Sequence, residues 1–239
     1  MPKPTRSLTK KQLSRSKLEL YLECPRCFYD DIALGLGRPS GPSFTLNIAV
    51  DALMKAEFDA HRAVGTPHPL FATVRLEAVP FRHPDLDRWR TNFTGVRWKD
   101  PETGWTFYGA VDDLWVKPDQ SLIVADYKAT AKADEVNADN IYPGYQRQLE
   151  MYQFLVEKQG FVVDPVGWLV YANGIKDRAA FSDTLSFRTK MISLAGDRTW
   201  VEPTFREAVA QLESRTRPPA AETCEWCTYV ETKRGAMGG

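Results

Sequence analysis

Apolar positions along the chain recur at two spacings. At helical spacing, Leu18, Tyr21 and Leu22 mark a first helix, with Ser14 or Ser16 as its cap and Pro25 as its end. Ile48, Val50, Leu53, Met54 and Phe58 mark a second helix, with Asp51 beside the apolar stripe. Tyr145, Leu149, Tyr152 and Val156 mark a third that Gly160 stops, and residues 203–213 a last one. Strand-like runs fall at 73–79, 105–116, 121–128, 166–171 and 184–187. Lys117-Pro118-Asp119-Gln120 supplies the turn between the second and third of these. Residues 35–42 read as a turn rich in Gly and Pro, 83–99 as a loop or lid with some extended structure, and 129–140 as a polar connection. Strands alternating with helices predict an α/β domain, a central mixed β-sheet flanked by helices.

Composition sets bounds on this domain. A chain of 239 residues, 43% hydrophobic and 26% charged, suits one globular domain with a sizeable core. The expected organisation is a basic flexible arm over 1–17, one domain over 18–230 and a flexible tail over 231–239. Lys plus Arg equals Asp plus Glu at 31 each, so no global field draws the chain to a polyanion, and any such binding needs a local patch. Lys3, Arg6, Lys10, Lys11, Arg15 and Lys17 all precede the first acid, Glu19, and read as a solvated tail or as a nucleic-acid arm. No apolar run approaches the roughly 18 residues of a membrane span, and the polar start lacks a signal-peptide core. A cytoplasmic protein without membrane contact is therefore expected, and its four cysteines need a use other than disulfides.

The chemistry concentrates in two strings, Gly109-Ala110-Val111-Asp112 and Asp126-Tyr127-Lys128, on one expected hairpin. With a strand period of two, Leu122, Val124, Asp126 and Lys128 share a face, which sets an acid beside an amine. An Asp-x-Lys step is also an ordinary surface ion pair. Here, however, Leu122-Ile123-Val124-Ala125 puts the acid at the end of a buried strand. Asp112-Asp113 adds a second acid pair, a combination depleted from strands unless something, such as a bound cation, offsets the repulsion. Asp112 and Asp126 would ligate Mg²⁺ or Mn²⁺, with Lys128 orienting water or stabilising the transition state of phosphodiester hydrolysis.

The chain resembles the PD-(D/E)XK nuclease superfamily, and within it the RecB-like branch that includes the CRISPR-associated exonucleases. Five features in order carry the resemblance: Cys24-Pro25-Arg26 with Phe28, the helix at Asp51, Gly109 to Asp112, Asp126 to Lys128 with Thr130, and Gln148 with Tyr152. It implies a restriction-endonuclease-like core, metal on Asp112 and Asp126 with the carbonyl of Tyr127, and Lys128 as the catalytic lysine. Gln148 and Tyr152 match its Gln-x-x-x-Tyr signature, which organises the site or holds DNA. Where that branch carries a histidine after a glycine on the early helix, this chain has Asn47 and then Asp51. Asp51 is either a third metal ligand or the partner of Lys55 in a surface pair.

Cys24-x-x-Cys27 and Cys224-x-x-Cys227 stand near opposite ends of the chain. A four-thiolate centre joining the termini is the simplest account, and both Zn²⁺ and a 4Fe–4S cluster fit the count. Thiol redox chemistry and four reduced thiols without metal are the alternatives. The resemblance favours the cluster, because several RecB-like nucleases fasten their termini with one. Their usual layout is one early and three late cysteines, from which the two-plus-two arrangement departs. Phe28, Tyr29, Trp226 and Tyr229 surround the centre, either as packing or as a platform for single-stranded bases. His61, His68 and His83 lack ligand spacing and receive no role. The expected activity is metal-dependent DNA cleavage, an exonuclease foremost, on single strands or duplex ends, with a partner protein in a repair, recombination or CRISPR-type complex. The alternative is a subunit that binds or assembles without cutting. The segments 83–99 and 129–140 would flank the site and gate it.

Overall fold

Residues 6–41 and 45–237 are described by a computed structural model of the protein. Its elements begin with α1 (Arg6–Lys10), β1 (Gln12–Ser14), α2 (Arg15–Glu23) and α3 (Pro25–Leu34). There follow α4 (Thr45–Val64), α5 (Pro69–Thr73), β2 (Val79–Pro80), α6 (Leu86–Trp89), β3 (Val96–Lys99) and β4 (Thr106–Gly109). Then come β5 (Asp113–Val116), β6 (Leu122–Thr130), α7 (Pro143–Glu157), β7 (Val166–Gly174), β8 (Phe187–Ala195), α8 (Val201–Glu213) and α9 (Glu225–Ala236). Contacts divide the chain into two compact units, one from 43–96 and 109–198, the other from 1–42, 97–108 and 199–239.

The first unit is built on a five-stranded mixed sheet of order β2-β5-β6-β7-β8. The expected hairpin is present, with Asp113 to Val116 pairing antiparallel with Leu122 to Ala125. β7 lies parallel to β6 on the other side, and β8 closes the sheet antiparallel to β7. Central position explains the apolar run in β6, whose residues from Leu122 to Tyr127 are all buried. One face packs on α4 and α5, where Phe58, Phe71, Trp115, Ile123, Ala125 and Tyr127 form a core. Phe58 stacks between Trp115, at 5.5 Å, and His68, at 4.0 Å. α7 covers the other face and is buried from Gln148 to Val156. Its start fits the sequence, since Pro143 needs no hydrogen-bonded N–H in the first turn.

Several expected elements are displaced. The helical stripe of α4 is Val50, Met54 and Phe58, whereas Ile48 and Leu53 are exposed. Of the strand expected over 73–79 only Val79 is in one, the two-residue β2, because Pro69 starts α5, which runs to Thr73, and the His68 Nδ1 accepts from Leu70 N at 3.2 Å. The last sheet strand is Phe187–Ala195 rather than 184–187. Over 83–99, expected as a loop or lid with some extended structure, β3 is the extended part, and α6 forms in addition with Trp89 buried.

The continuous strand expected over 105–116 is broken between β4 and β5. There Val111 N donates to Trp89 O at 3.2 Å and Arg90 Nε donates to Asp112 O at 2.9 Å, which draws this backbone away from a sheet ladder. Gly95, at φ +57°, lies so close that a Cβ on it would sit 2.5 Å from Gly109 O.

The second unit contains the three-stranded sheet β1-β4-β3, in which β1 runs parallel to β4. Residues 12–14 of the expected arm thus form a strand, with Leu13 buried. Asp100, fully buried, accepts from Arg206 at 2.9 and 3.2 Å and caps the turn at Thr103. α2 ends before Cys24, and Pro25 opens α3 as well as closing α2. Residues 231–236 of the expected tail continue α9.

Candidate active site and cysteine centre

The side-chain alternation of β6 decides which groups meet. Asp126 and Lys128 reach α7, while Tyr127 joins the core under α4. Lys128 forms an ion pair with Asp126, and its Nζ donates to Gln148 Oε1 at 3.2 Å. Gln148 Nε2 donates to Asp126 Oδ1 at 2.6 Å and to the Tyr152 hydroxyl at 3.2 Å. The amide is thereby oriented, its oxygen on the ammonium and its nitrogen on the carboxylate. Tyr145 lies on the same helical face, its ring centroid 4.7 Å from the ammonium. Burial works against the charge on Lys128, but Asp126 and Asp112 outweigh it and raise its pKa above that of an ordinary lysine. In this environment the group is an ammonium that donates hydrogen bonds.

Asp112 stands at the entrance to β5. Its Oδ2 accepts from Tyr127 N at 3.0 Å, and its Oδ1 lies 3.1 Å from Lys55 Nζ. Lys55 also bonds Asp51 Oδ2 at 2.8 Å, so one ammonium spans both acids. Burial opposes this charge too, and Asp112 and Asp51 together raise its pKa. Asn47, one turn before Asp51, donates to Ala129 O at 3.1 Å and ties the start of α4 to β6.

Asp113 has a different environment from its neighbour. It is fully buried, pairs with Arg62 and with Arg90 at 3.0 Å, and accepts from the Tyr127 hydroxyl at 2.6 Å. Trp115 Nε1 at 3.3 Å and Leu114 N at 2.8 Å add further donors. Asp59 neutralises the outer side of both guanidiniums, at 2.8 Å from each. Burial and the adjacent Asp113 push the Tyr127 phenol well above its ordinary pKa. The repulsion in the acid pair is therefore offset at Asp113 by two arginines of the chain.

The expected ligands are brought together in part. Asp51 and Asp112 face one cationic centre, and Asp126 carries its own ammonium. Two carboxylates already converging on a positive charge fit a hard divalent cation. The three acids do not form one gathered set. Among the described residues, the group of three or more metal-ligating side chains that does gather is Cys24, Cys27, Cys224 and Cys227. Lys55 is the expected partner of Asp51, whereas its contact with Asp112, and Arg62, Arg90 and Tyr145 as parts of the site, were not anticipated. For Arg62 the available signal was spacing, since Asp51, Lys55, Asp59 and Arg62 follow one face of α4.

In the other unit the four thiols lie within 4.8 Å of one another. Cys24 caps α3 and Cys224 caps α9, so each pair sits at a helix N-terminus. Ala221 N donates to Cys24 Sγ at 3.5 Å, and Arg38 Nη2 donates to Cys224 Sγ at 3.6 Å. Such a set could hold a metal, and it fastens the N- and C-terminal segments of its unit.

Among the described residues, no helix is long and apolar enough to cross a membrane. No curated protein matches the chain. A solved structure titled "Crystal structure of SSO0001" is similar at 12% identity and a TM-score of 0.38, covering 84% of this chain and 76% of that one. The family model of the PD-(D/E)XK nuclease superfamily matches residues 44–232, a span from α4 and its Asp51 through the β5–β6 hairpin to the second cysteine pair. With a mixed sheet flanked by helices and an Asp-x-Lys strand at its centre, the chain belongs to the PD-(D/E)XK nuclease superfamily.

Proposed function

We propose that the protein is a Mg²⁺- or Mn²⁺-dependent deoxyribonuclease, acting as a RecB-like exonuclease on single strands or duplex ends. The observation that carries this reading is the linked set Asp126, Lys128 and Gln148, with Asp112 fastened to the backbone of the residue between the first two. Asp112, Asp126 and the carbonyl of Tyr127 would hold the metal, with Asp51 as a further ligand once Lys55 is displaced. When bound, the ion supplies an acidic water and neutralises phosphate charge.

The chain's own residues then account for orientation and charge. Tyr127 N–H fixes one oxygen of Asp112, and Gln148 fixes one oxygen of Asp126. Lys128 offers N–H donors and a positive charge to a phosphate oxygen as negative charge builds there. Gln148 and Tyr152 keep Lys128 and Asp126 in register, and the segment at 129–140 gates the strand.

Cleavage of end-labelled linear and covalently closed circular DNA, with and without Mg²⁺, tests this. Wild type is expected to release nucleotides from linear substrates only, and Lys128→Ala to bind DNA without cutting it. Absence of metal-dependent cleavage by wild type on every substrate would overturn the proposal. DNA binding without cleavage by either protein would favour a non-cutting subunit, a reading that the Lys55 ammonium between Asp51 and Asp112 also supports.

A further inference from the structure

We infer that the four-cysteine centre is a mononuclear tetrahedral site for Zn²⁺ and not a seat for a 4Fe–4S cluster. The size of the space between the sulfurs decides it. A single zinc with four Zn–S bonds of about 2.3 Å at tetrahedral angles sets its sulfurs about 3.8 Å apart. A cubane core interposes four irons and spreads its cysteine sulfurs to roughly 6 Å. In this protein Cys27 Sγ lies 3.5 Å from Cys224 Sγ and 3.6 Å from Cys227 Sγ, and Cys24 Sγ lies 3.9 Å from Cys227 Sγ. None of the remaining separations exceeds 4.8 Å.

Two features oppose expansion to the larger size. Cys24 is fully buried, with Leu20, Ala220 and Ala221 packed around the sulfurs, so outward movement requires displacement of close-packed side chains. Cys24 Sγ also accepts from Ala221 N, and Cys224 Sγ accepts from Arg38, contacts that hold the sulfurs at their present positions. The two-plus-two spacing has the same meaning. Each Cys-x-x-Cys opens a helix and offers two sulfurs to one tetrahedral ion.

Zinc would also do structural work. No described residue of α9 is buried, and its N-cap Cys224 is the buried anchor of that end. The Arg26–Glu231 ion pair, whose glutamate is 62% exposed, adds little. Metal binding thus docks a helix that packing alone does not hold, and it closes a loop of 197 residues between Cys27 and Cys224.

The protein purified anaerobically, without DNA, provides the test. Zinc, iron and acid-labile sulfide are measured per chain on one preparation, and visible absorbance is recorded before and after replacement with Co²⁺. The expected result is one zinc per chain, no sulfide, no colour, and tetrahedral thiolate bands from cobalt. Titration of wild type with an organomercurial is expected to release that zinc as four thiols react, and Cys227→Ser to lower zinc content at least tenfold. Iron and sulfide near four per chain in a brown protein, or four reduced thiols with no metal, would overturn the inference. So would a Cys227→Ser protein that retains its zinc. None of these readouts depends on cleavage.

Discussion

Two adjacent acids with opposite fates give the sharpest test of the active-site geometry. Asp113→Asn removes the charge that balances Arg62 and Arg90, whose side chains are only 9% and 10% exposed. Asp59 remains, but it is 44% exposed and already shared between them. Losing one member of a buried ionic cluster costs roughly 3–5 kcal/mol, because the surviving charge stays desolvated. The Asn amide would also turn a donor toward the Tyr127 hydroxyl or the guanidiniums, a further mismatch. At roughly 2–4 °C per kcal/mol for a chain of this size, the melting temperature should fall by about 6–20 °C.

Asp112→Asn keeps an acceptor for Tyr127 N, and Lys55 keeps Asp51. Its carboxylate is partly exposed, so the loss should stay within about 1 kcal/mol, while the proposed metal site loses a charged ligand and cleavage falls at least about a hundredfold. Thermal melts and cleavage rates on both variants decide the matter. An Asp113→Asn protein that melts with wild type, or an Asp112→Asn protein that melts as far down as predicted for its neighbour, would refute the assignment.

Other outcomes follow from the same contacts. Lys55→Ala removes the ammonium that competes for Asp51 and Asp112, so Mn²⁺ binding followed by electron paramagnetic resonance should tighten severalfold; weaker binding would sink the idea. Gly95→Ala should be strongly destabilising, because its Cβ would strike Gly109 O and φ +57° disfavours any side chain; a melt unchanged from wild type would contradict the close approach. At Asp100, burial opposes ionisation but the Arg206 and Thr103 bonds outweigh it and lower the pKa. A depressed folded-state pKa gives stability that is present above the unfolded value, near 3.8, and is lost as pH falls through the folded value. Asp100→Asn should accordingly be less stable than wild type at pH 7, with the gap narrowing below pH 4; a gap independent of pH would count against the ion pair.

Elements set by periodicity were legible in the sequence, and those set by partners were not. The apolar run before Asp126 gave the central strand, Lys117 to Gln120 gave its turn, and the spacing of Tyr145, Leu149 and Tyr152 gave α7. Residues 110–112 have strand-like composition, yet Trp89 O and Arg90 compete for their backbone, and nothing local in the sequence announces those partners. Within 83–99 the extended structure expected there is β3, whereas α6 was missed because a four-residue helix is too short to show a period.

The same distinction separates the two acids. Side-chain alternation in a strand predicted that Asp126 and Lys128 share a face, and they do, but it could not say what offsets the repulsion of Asp112 against Asp113. The offset comes from Arg62, one turn beyond Phe58 on α4, and from Arg90, one residue past α6. By holding Asp113 inside the core, those arginines fix the start of β5, and Asp112, the next residue toward the N-terminus, is left partly exposed with its carboxylate on Tyr127 N and Lys55. A buried acid thus positions an accessible one. Any nuclease activity of this chain depends on the charge balance beneath the sheet as much as on the ligands at its edge.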